Sequence, residues 1–210
     1  MSMITNNSLA RLLGFLMGDG CLYKCRCRST PRKNHREHSK DKVGFVYRIE
    51  FYNKNSQLLS KFSRDMITFF GKKPIFNPRK FRVRISSDKQ IFQHLINLAK
   101  FGSYNWEIPI NNFNKETALE WLSAFIDCEG YIEYDIKNRH RRITITSVNY
   151  KGLTQIRQLL SKFFNVSSIV YGPYGNMYRL IISEKKNLRK LKLKLNHPEK
   201  SKKLKFIQKF

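Results

Sequence analysis

The chain has 210 residues, 41% of them apolar, and carries 41 Lys and Arg against 15 Asp and Glu, a formal net charge of +26. That apolar share supports a packed core and excludes a merely disordered basic tail, and the length suits one large domain or two small ones sharing a core. No run of 18 apolar residues is present to span a bilayer, "MSMITNNSLAR" lacks the basic-then-apolar order of a secretory signal, and so large an excess of cations calls for a polyanion, nucleic acid before an anionic membrane.

Asn6, Asn7 and Ser8 offer N-caps to an apolar helical stripe at Leu9, Leu12, Leu13 and Leu16, which stops at Gly18-Asp19-Gly20. "CLYKCRCRS" alternates like a strand. The polar, basic stretch 29–42 reads as a loop or insertion, and "GFVYRIEFYN" as a second strand. A helix follows in "NSQLLSKFSRDMITFFG", with Ser56 as its cap and Gly71 past its end. "KPIFN" and "KFRVRIS" form a hairpin around "NPRK", and "SDKQIFQHLINLAKFG" is a third helix.

After a connector at 103–113 the same order recurs. "NKETALEWLSAFIDCEG" is an apolar helix ending in an acid and a glycine, "YIEYDIKN" and "RRITITSVN" are strands, and "LTQIRQLLSKFFNV" is a helix. "SSIVYGPYG" and "NMYRLIIS" make a hairpin, and the basic helix "EKKNLRKLKLKL" closes the unit. The expected division is therefore 1–102, a linker at 103–113, and 114–210 with a basic tail.

Cys21, Cys25 and Cys27 cluster ahead of His35 and His38, with Cys128 far away. The spacing is not that of a standard zinc knuckle. Reduced cysteines along one strand face are the favoured reading, zinc is the alternative, and a disulfide framework does not suit a chain of this size without a secretory signal.

The two acid-ended helices carry the chemistry. "LLGFLMGDG" at 12–20 and "LSAFIDCEG" at 122–130 each place small residues four apart, Gly14/Gly18 and Ala124/Cys128. Residues four apart share a helix face, and small residues on one face let two backbones approach closely. Side-by-side packing of these faces brings Asp19 to Glu129. Two adjacent carboxylates either share a proton or bind a divalent cation, and beside a polyanion the second option points to metal-assisted phosphodiester cleavage. In "KFRVRIS" the cations Lys80, Arg82 and Arg84 alternate with apolar residues, which gives a strand with one cationic face. Weaker alternation places Arg142, Thr144 and Thr146 on one side of "RRITITS", and Arg48 and Glu50 share a face of "YRIEF". Tyr178 and Arg179 lie on the last strand with the outward face undecided. Lys24, Arg26 and Arg28 oppose the cysteine face of the first strand, the face of Tyr23, and either face is open to a nucleic acid.

These two segments resemble the motif of the LAGLIDADG homing endonucleases in their single-chain, two-motif form, and the order of flanking elements fits from about Ser8 to Leu195. The resemblance implies an α/β (α+β) fold of two pseudo-symmetric αββαββα halves. They join through the paired motif helices, and antiparallel four-stranded sheets form a DNA-binding saddle. It implies a monomeric endonuclease encoded within an intron or intein. The enzyme would cleave a long double-stranded DNA site with Mg²⁺, or Mn²⁺ in its place, and leave short 3′ overhangs. Asp19 and Glu129 would hold the metal, with the preceding Gly18 and Cys128 in the same set. The polar residue and lysine that often flank the metals fall on Asn53 and Lys54. In the second half Ser147 and Val148 stand at that place, without a lysine, and Arg141 or Lys151 is the substitute. Met17 replaces the acid often found at that motif position, which Asp127 keeps. The Lys-, Asn-, Ile- and Phe-rich composition suits an A/T-rich genome, hence an organelle in a eukaryote and otherwise a prokaryotic cytoplasm. The rival readings are an RNA-binding intron maturase, contacting intron RNA through 29–42 and the tail "KSKKLKFIQKF", and a non-cutting DNA-binding regulator.

Overall fold

The computed structural model describes residues 3–28, 43–86, 88–135 and 140–209, with no account of the side chains of Cys27, Arg28 and Val43; the insertion at 29–42 lies outside the described residues. The first half runs α1 (Asn7–Gly18), β1 (Gly20–Arg28), β2 (Val43–Tyr52), α2 (Ser56–Phe70), β3 (Ile75–Asn77), β4 (Arg82–Ser86) and α3 (Lys89–Leu98). The second runs α4 (Lys115–Glu129), β5 (Gly130–Asp135), β6 (His140–Ser147), α5 (Tyr150–Phe164), β7 (Ile169–Tyr174), β8 (Met177–Ile182), α6 (Lys185–Lys190) and α7 (Pro198–Lys209). Each half holds an antiparallel four-stranded sheet, ordered β1-β2-β4-β3 and β5-β6-β8-β7. This is the mixed α/β arrangement of paired halves expected from the sequence.

Asparagine side chains start most of the helices because their oxygen can take a free N–H of the first turn. Asn6 accepts from Ser8 and Leu9, and Asn149 from Gly152. Asn114 forms a reciprocal capping box with Thr117. The cap of α2 is Asn55, not Ser56, with its side chain accepting from Gln57 N–H at 2.9 Å. The α2 and α5 helices end alike, Gly71 and Asn165 both taking a left-handed conformation at φ 64° and 49°.

Two stretches depart from the expected pattern. Lys80 is not a strand residue: Asn77 caps a short 3-10 turn over Pro78–Lys80, and Phe81 then turns left-handed at φ 46° before β4 begins. The closing basic helix is also shorter than expected. It ends at Lys190, and the chain continues extended through Leu191, Leu193 and Leu195 before α7. Those leucines sit two apart, a spacing that puts them on one side of an extended chain and not on one helix face. Leu191 is fully buried, and Leu193 and Leu195 pack on the core. The basic tail forms the helix α7, with Leu204 and Ile207 buried.

The centre of the molecule is the pair α1 and α4. A Cβ at Gly14 would lie 2.5 Å from the Trp121 carbonyl oxygen and 2.9 Å from the Ala124 Cβ. At Gly18 it would lie 2.5 Å from the Cys128 Cβ. Glycine costs about 1 kcal/mol inside a helix, and the close backbone approach compensates. An ion triad behind this interface ties three helices. Arg11 forks onto Asp65 of α2 at 2.7 and 2.9 Å and reaches Glu120 of α4 at 2.7 Å. None of the helices in the described residues is long and apolar enough to cross a membrane.

A candidate metal centre above two sheet faces

Both motif helices end at the same place. Asp19 is the C-cap of α1, its N–H donating to Phe15 O, and its carbonyl accepts from Tyr52 N–H at 3.1 Å. A Cβ on Gly18 would stand 3.6 Å from Cγ of Glu129, so the two acids are neighbours across the interface. Their proximity shows in the protonation of Glu129, which is pushed up to about 7. Burial is the main cause and the charge of Asp19 adds to it, while Lys200 opposes both. Burial also drives the Cys128 thiol well above its ordinary range, and Asp19 raises it further.

The first half supports its acid with a side chain. Asn53 Nδ2 donates to Asp19 Oδ2 at 2.7 Å, and Asn53 Oδ1 accepts from Asn55 N–H at 2.8 Å. The Asn53 N–H donates to the carbonyl of Phe81 at 3.0 Å, so the left-handed turn at Phe81 helps to fix Asn53. Lys54 follows, exposed to solvent. The second half is different. Ser147 and Val148 line a cleft of about 220 Å³ together with Gly18 and Glu129. Neither proposed substitute lysine or arginine reaches it. Lys151 pairs with Glu107 at 2.7 Å on the surface, and Arg141 lies over the Tyr134 ring at 5.9 Å.

Sequence reasoning missed Lys200. Its ammonium donates to the carbonyls of Ile126, Asp127 and Cys128 at 3.0, 2.7 and 3.3 Å, at the end of α4. Burial lowers its pKa, against the pull of Cys128, Asp127, Asp19 and Glu129. The contact joins residues 72–74 positions apart, and no local pattern in the tail announces it. Asp127, in turn, is buried and accepts from the N–H groups of Asn196 and His197 at 2.8 and 3.0 Å. Burial raises its carboxyl despite those bonds.

The donor chemistry of the centre fits a hard divalent cation. Two carboxylates are neighbours, the charge of Asp19 raising the Glu129 carboxyl, and a cation would relieve that repulsion. Gly18 has no side chain, and the Cys128 thiol is held protonated against α1, so both can contribute only carbonyl oxygens; that of Cys128 already accepts from Lys200. Among the described residues no cluster of three or more His, Cys, Asp or Glu is placed to hold a metal. A cation between Asp19 and Glu129 therefore draws its remaining ligands from carbonyls, water or phosphate. Cys21 and Cys25 are in no disulfide, and the rest of that cluster, the Cys27 side chain, His35 and His38, lies outside the described residues.

Register fixes which strand residues share a solvent face. In the first sheet Ile49, Phe51, Val83 and Ile85 point into the core. Tyr23 sits opposite Arg48, Glu50 opposite Arg84, and Tyr52 opposite Arg82, all on the other side. That face is already hydrogen-bonded. Arg48 donates to the Tyr23 hydroxyl at 3.0 Å, and buried Glu50 accepts from Arg82 at 3.1 Å and from the Tyr52 hydroxyl. Lys24 and Arg26 lie on the opposite face of β1, where Lys24 covers the Phe45 ring at 3.9 Å. Arg28 falls where side chains are not described. The cysteine face of β1 is the one continuous with the arginines of β2 and β4, while Lys24 and Arg26 are exposed on the other face.

In the second sheet Arg142, Thr144, Thr146 and Arg179 share the solvent face, with Glu133 accepting from Arg142 at 2.6 Å. Tyr178 is on the other side and packs on Tyr150, ring centroids 5.0 Å apart. Lys80, in its 3-10 turn, is exposed beyond the strand. Arg48 Nε, Arg82 Nε, Arg84 Nε and Thr144 Oγ1 are buried atoms with no partner among the described residues, so both faces hold hydrogen-bonding capacity that those residues do not use.

Two close-packed acid-ended helices beneath two cationic antiparallel sheets define the LAGLIDADG endonuclease fold. The family model described as LAGLIDADG-like domain matches residues 116–196. The structure is similar to I-DmoI in complex with DNA and Mn, with 20% identity, 87% of this chain and 93% of that chain covered, and a TM-score of 0.58. It is also similar to I-SmaMI bound to cleaved DNA, with 11% identity, 98% and 90% covered, and a TM-score of 0.60. A third neighbour is full-length WhiA from Thermatoga maritima, with 14% identity, 97% and 62% covered, and a TM-score of 0.53. No curated protein sequence matches the chain. The chain thus carries a LAGLIDADG-like domain in its second half and, over nearly its whole length, the fold of the LAGLIDADG homing endonucleases.

Proposed function

We propose that the protein is a site-specific endonuclease that cuts double-stranded DNA as a monomer. The observation that carries this reading is the meeting of Asp19 and Glu129 at the ends of α1 and α4, close enough for the charge of one to raise the other. I-DmoI, a structural neighbour, has been captured with DNA and Mn and with DNA and Ca, which supports a divalent cation here, Mg²⁺ or Mn²⁺.

When bound, the cation supplies Lewis acidity at a phosphate oxygen and a water of lowered pKa. The chain's own residues do the rest. Asp19 and Glu129 hold the cation, and Asn53 fixes the Asp19 carboxylate through its 2.7 Å bond. Lys54 stands to stabilise charge on the scissile phosphate. Arg48, Arg82 and Arg84, with Tyr23 and Glu50 beside them, face the major groove of one half-site. Arg142, Thr144, Thr146 and Arg179 face the other. The biological setting that fits such an enzyme is mobility of an intron or intein, with short 3′ overhangs as product. The candidate target is then the joined flanking exons.

The test uses that joined-exon DNA, Mg²⁺ and gel-shift binding side by side. Cleavage that disappears in Asp19→Asn and Glu129→Gln while binding persists upholds the reading. Normal cutting by both variants overturns the metal assignment. A second reading is a non-cutting DNA-binding protein, which the likeness to WhiA supports because WhiA is described by its LAGLIDADG domain and not as an endonuclease. It predicts tight binding with no strand breaks in Mg²⁺ or Mn²⁺. Preferential binding of intron RNA over the DNA would point instead to a maturase.

A further inference from the structure

The two acids of the metal centre are held by unlike means. Asp19 is gripped directly, by the amide of Asn53. Glu129 has no such partner from the strand end, where Ser147 and Val148 stand. What holds its end of the helix comes from beyond the second repeat. Lys200 lies in α7, outside the span 116–196 that matches the family model. It binds three successive carbonyls of the last turn of α4: that of Ile126, which also accepts the Gly130 N–H, and those of Asp127 and Cys128, which lie past the last helical N–H.

The contact is reciprocal. The Asp127 carboxylate, from the same turn of α4, accepts the backbone N–H groups of Asn196 and His197 just ahead of α7. Side chain to backbone in both directions makes a clasp, closed on one side by Asp127 and on the other by Lys200. The helix is seated independently by Leu204 and Ile207 in the core and by Phe206 against Tyr134 at 4.5 Å. In the first half Met17 occupies the position of Asp127, so that half lacks the carboxylate on which such a clasp depends.

We infer that Lys200 is a positioning residue for Glu129, and that α7 is a working part of the second half of the active site, standing in for the strand-end pair which that half lacks. The inference rests on the nuclease reading for its catalytic arm. Its structural arm does not.

The test compares Lys200→Met and Lys200→Arg with the parent in two measurements. One is single-turnover cleavage in Mg²⁺ beside DNA affinity and melting temperature. The other is thiol labelling of Cys128 in metal-free protein, in a background of Cys21→Ser, Cys25→Ser and Cys27→Ser. Loss of a group that orients a metal ligand slows such sites by about 10–100-fold. Lys200→Met should therefore cut about 10–100-fold more slowly with DNA affinity within about threefold, and Lys200→Arg should recover most of the rate. Labelling of Cys128, one residue from Glu129, should quicken about tenfold well below the melting temperature as the end of α4 loosens. Parent-like cleavage by Lys200→Met, or a loss of rate matched by loss of DNA affinity and not rescued by arginine, overturns the inference. If the parent cuts no DNA, the nuclease reading falls alone. Faster labelling then still upholds the clasp, and unchanged labelling removes it.

Discussion

The two halves share a backbone plan and differ in how they arm it. Each has a motif helix, a four-stranded antiparallel sheet and a covering helix in the same order. Yet Asp19 is oriented by Asn53, with Lys54 next in sequence, while Glu129 sits in a helix end held from behind by Lys200. The solvent face of the first sheet is a linked arginine, tyrosine and glutamate network; that of the second is richer in threonine and carries the Arg142–Glu133 pair. Pseudo-symmetry of fold constrains where an active-site group can be placed. It does not dictate which segment of chain supplies it.

The comparison breaks most visibly at the acids themselves. On the proposed nuclease reading, Asp19→Asn and Glu129→Gln should each lower the cleavage rate by about a thousandfold or more, because each removes a charge that would hold the metal. Binding of target DNA should change little. A variant that still nicks one strand would show that the halves work independently, and a variant that cuts neither strand would show a shared centre. Next in size is the interface that brings the acids together. Gly14→Leu forces a side chain into the Trp121 carbonyl. Overpacking of that kind costs about 3 kcal/mol or more, read as a large drop in melting temperature. Gly44→Ala, with open space around it, is the matched control and should melt as the parent does.

Much of this arrangement was legible in the sequence, and the reason is periodicity. Glycine or a small residue every fourth position fixes one helix face, so Gly14, Gly18, Ala124 and Cys128 announced their own contact. Alternation likewise separated Arg82 and Arg84 from Val83 and Ile85. It left either face of β1 open to a nucleic acid, because Lys24 and Arg26 oppose a face of cysteines and Tyr23 on an edge strand. Pairing with β2 adds only that the cysteine face is continuous with Arg48 and Glu50. Lys80 was lost to turn chemistry: Asn77 and Pro78 start a 3-10 turn, and the alternating strand begins only at Arg82. The stretch "LKLKL" was read as helix although its leucines are two apart. Lys200 was beyond reach altogether, since the carbonyls it binds belong to a helix more than 70 residues earlier.

Lys54 sharpens the contrast between the strand ends. Lys54→Met should slow cleavage of one DNA strand by about a hundredfold and leave the other within a few-fold, so nicked product should accumulate on a supercoiled substrate. Equal slowing on both strands would mean that one lysine serves both phosphates.

Acidity offers a test that needs no DNA. Glu129 titrates near 7 in the folded protein against an ordinary 4.5. Between those values the folded state binds more protons than the unfolded one, so this group lowers stability as pH rises through the window. Glu129→Gln removes that penalty. Metal-free, the variant should be more stable than the parent at pH 8 by on the order of 1–2 kcal/mol once solvent screening is allowed for. The two should converge near pH 4.5. Mg²⁺ should raise the melting temperature of the parent and not of the variant. A parent whose stability is flat from pH 5 to 8 would mean that Glu129 is less buried, and less coupled to Asp19, than its placement implies.

The smallest effect concerns Lys151, one of the two residues that sequence alone offered as the second half's missing cation. Its ammonium meets Glu107 at 2.7 Å, with the lysine side chain 71% exposed. Exposed pairs of this kind are worth about 0–1 kcal/mol and are screened by salt. Lys151→Ala should therefore leave cleavage of both strands within about twofold and shift stability by no more than about 0.5 kcal/mol. The measurement is decisive because it stands against Lys200→Met in the same assay. If Lys151→Ala proved the more damaging of the two, the second half would be armed from its strand end after all, by a lysine that leaves Glu107 when DNA arrives, and the asymmetry between the halves would shrink to a difference of a few residues in register.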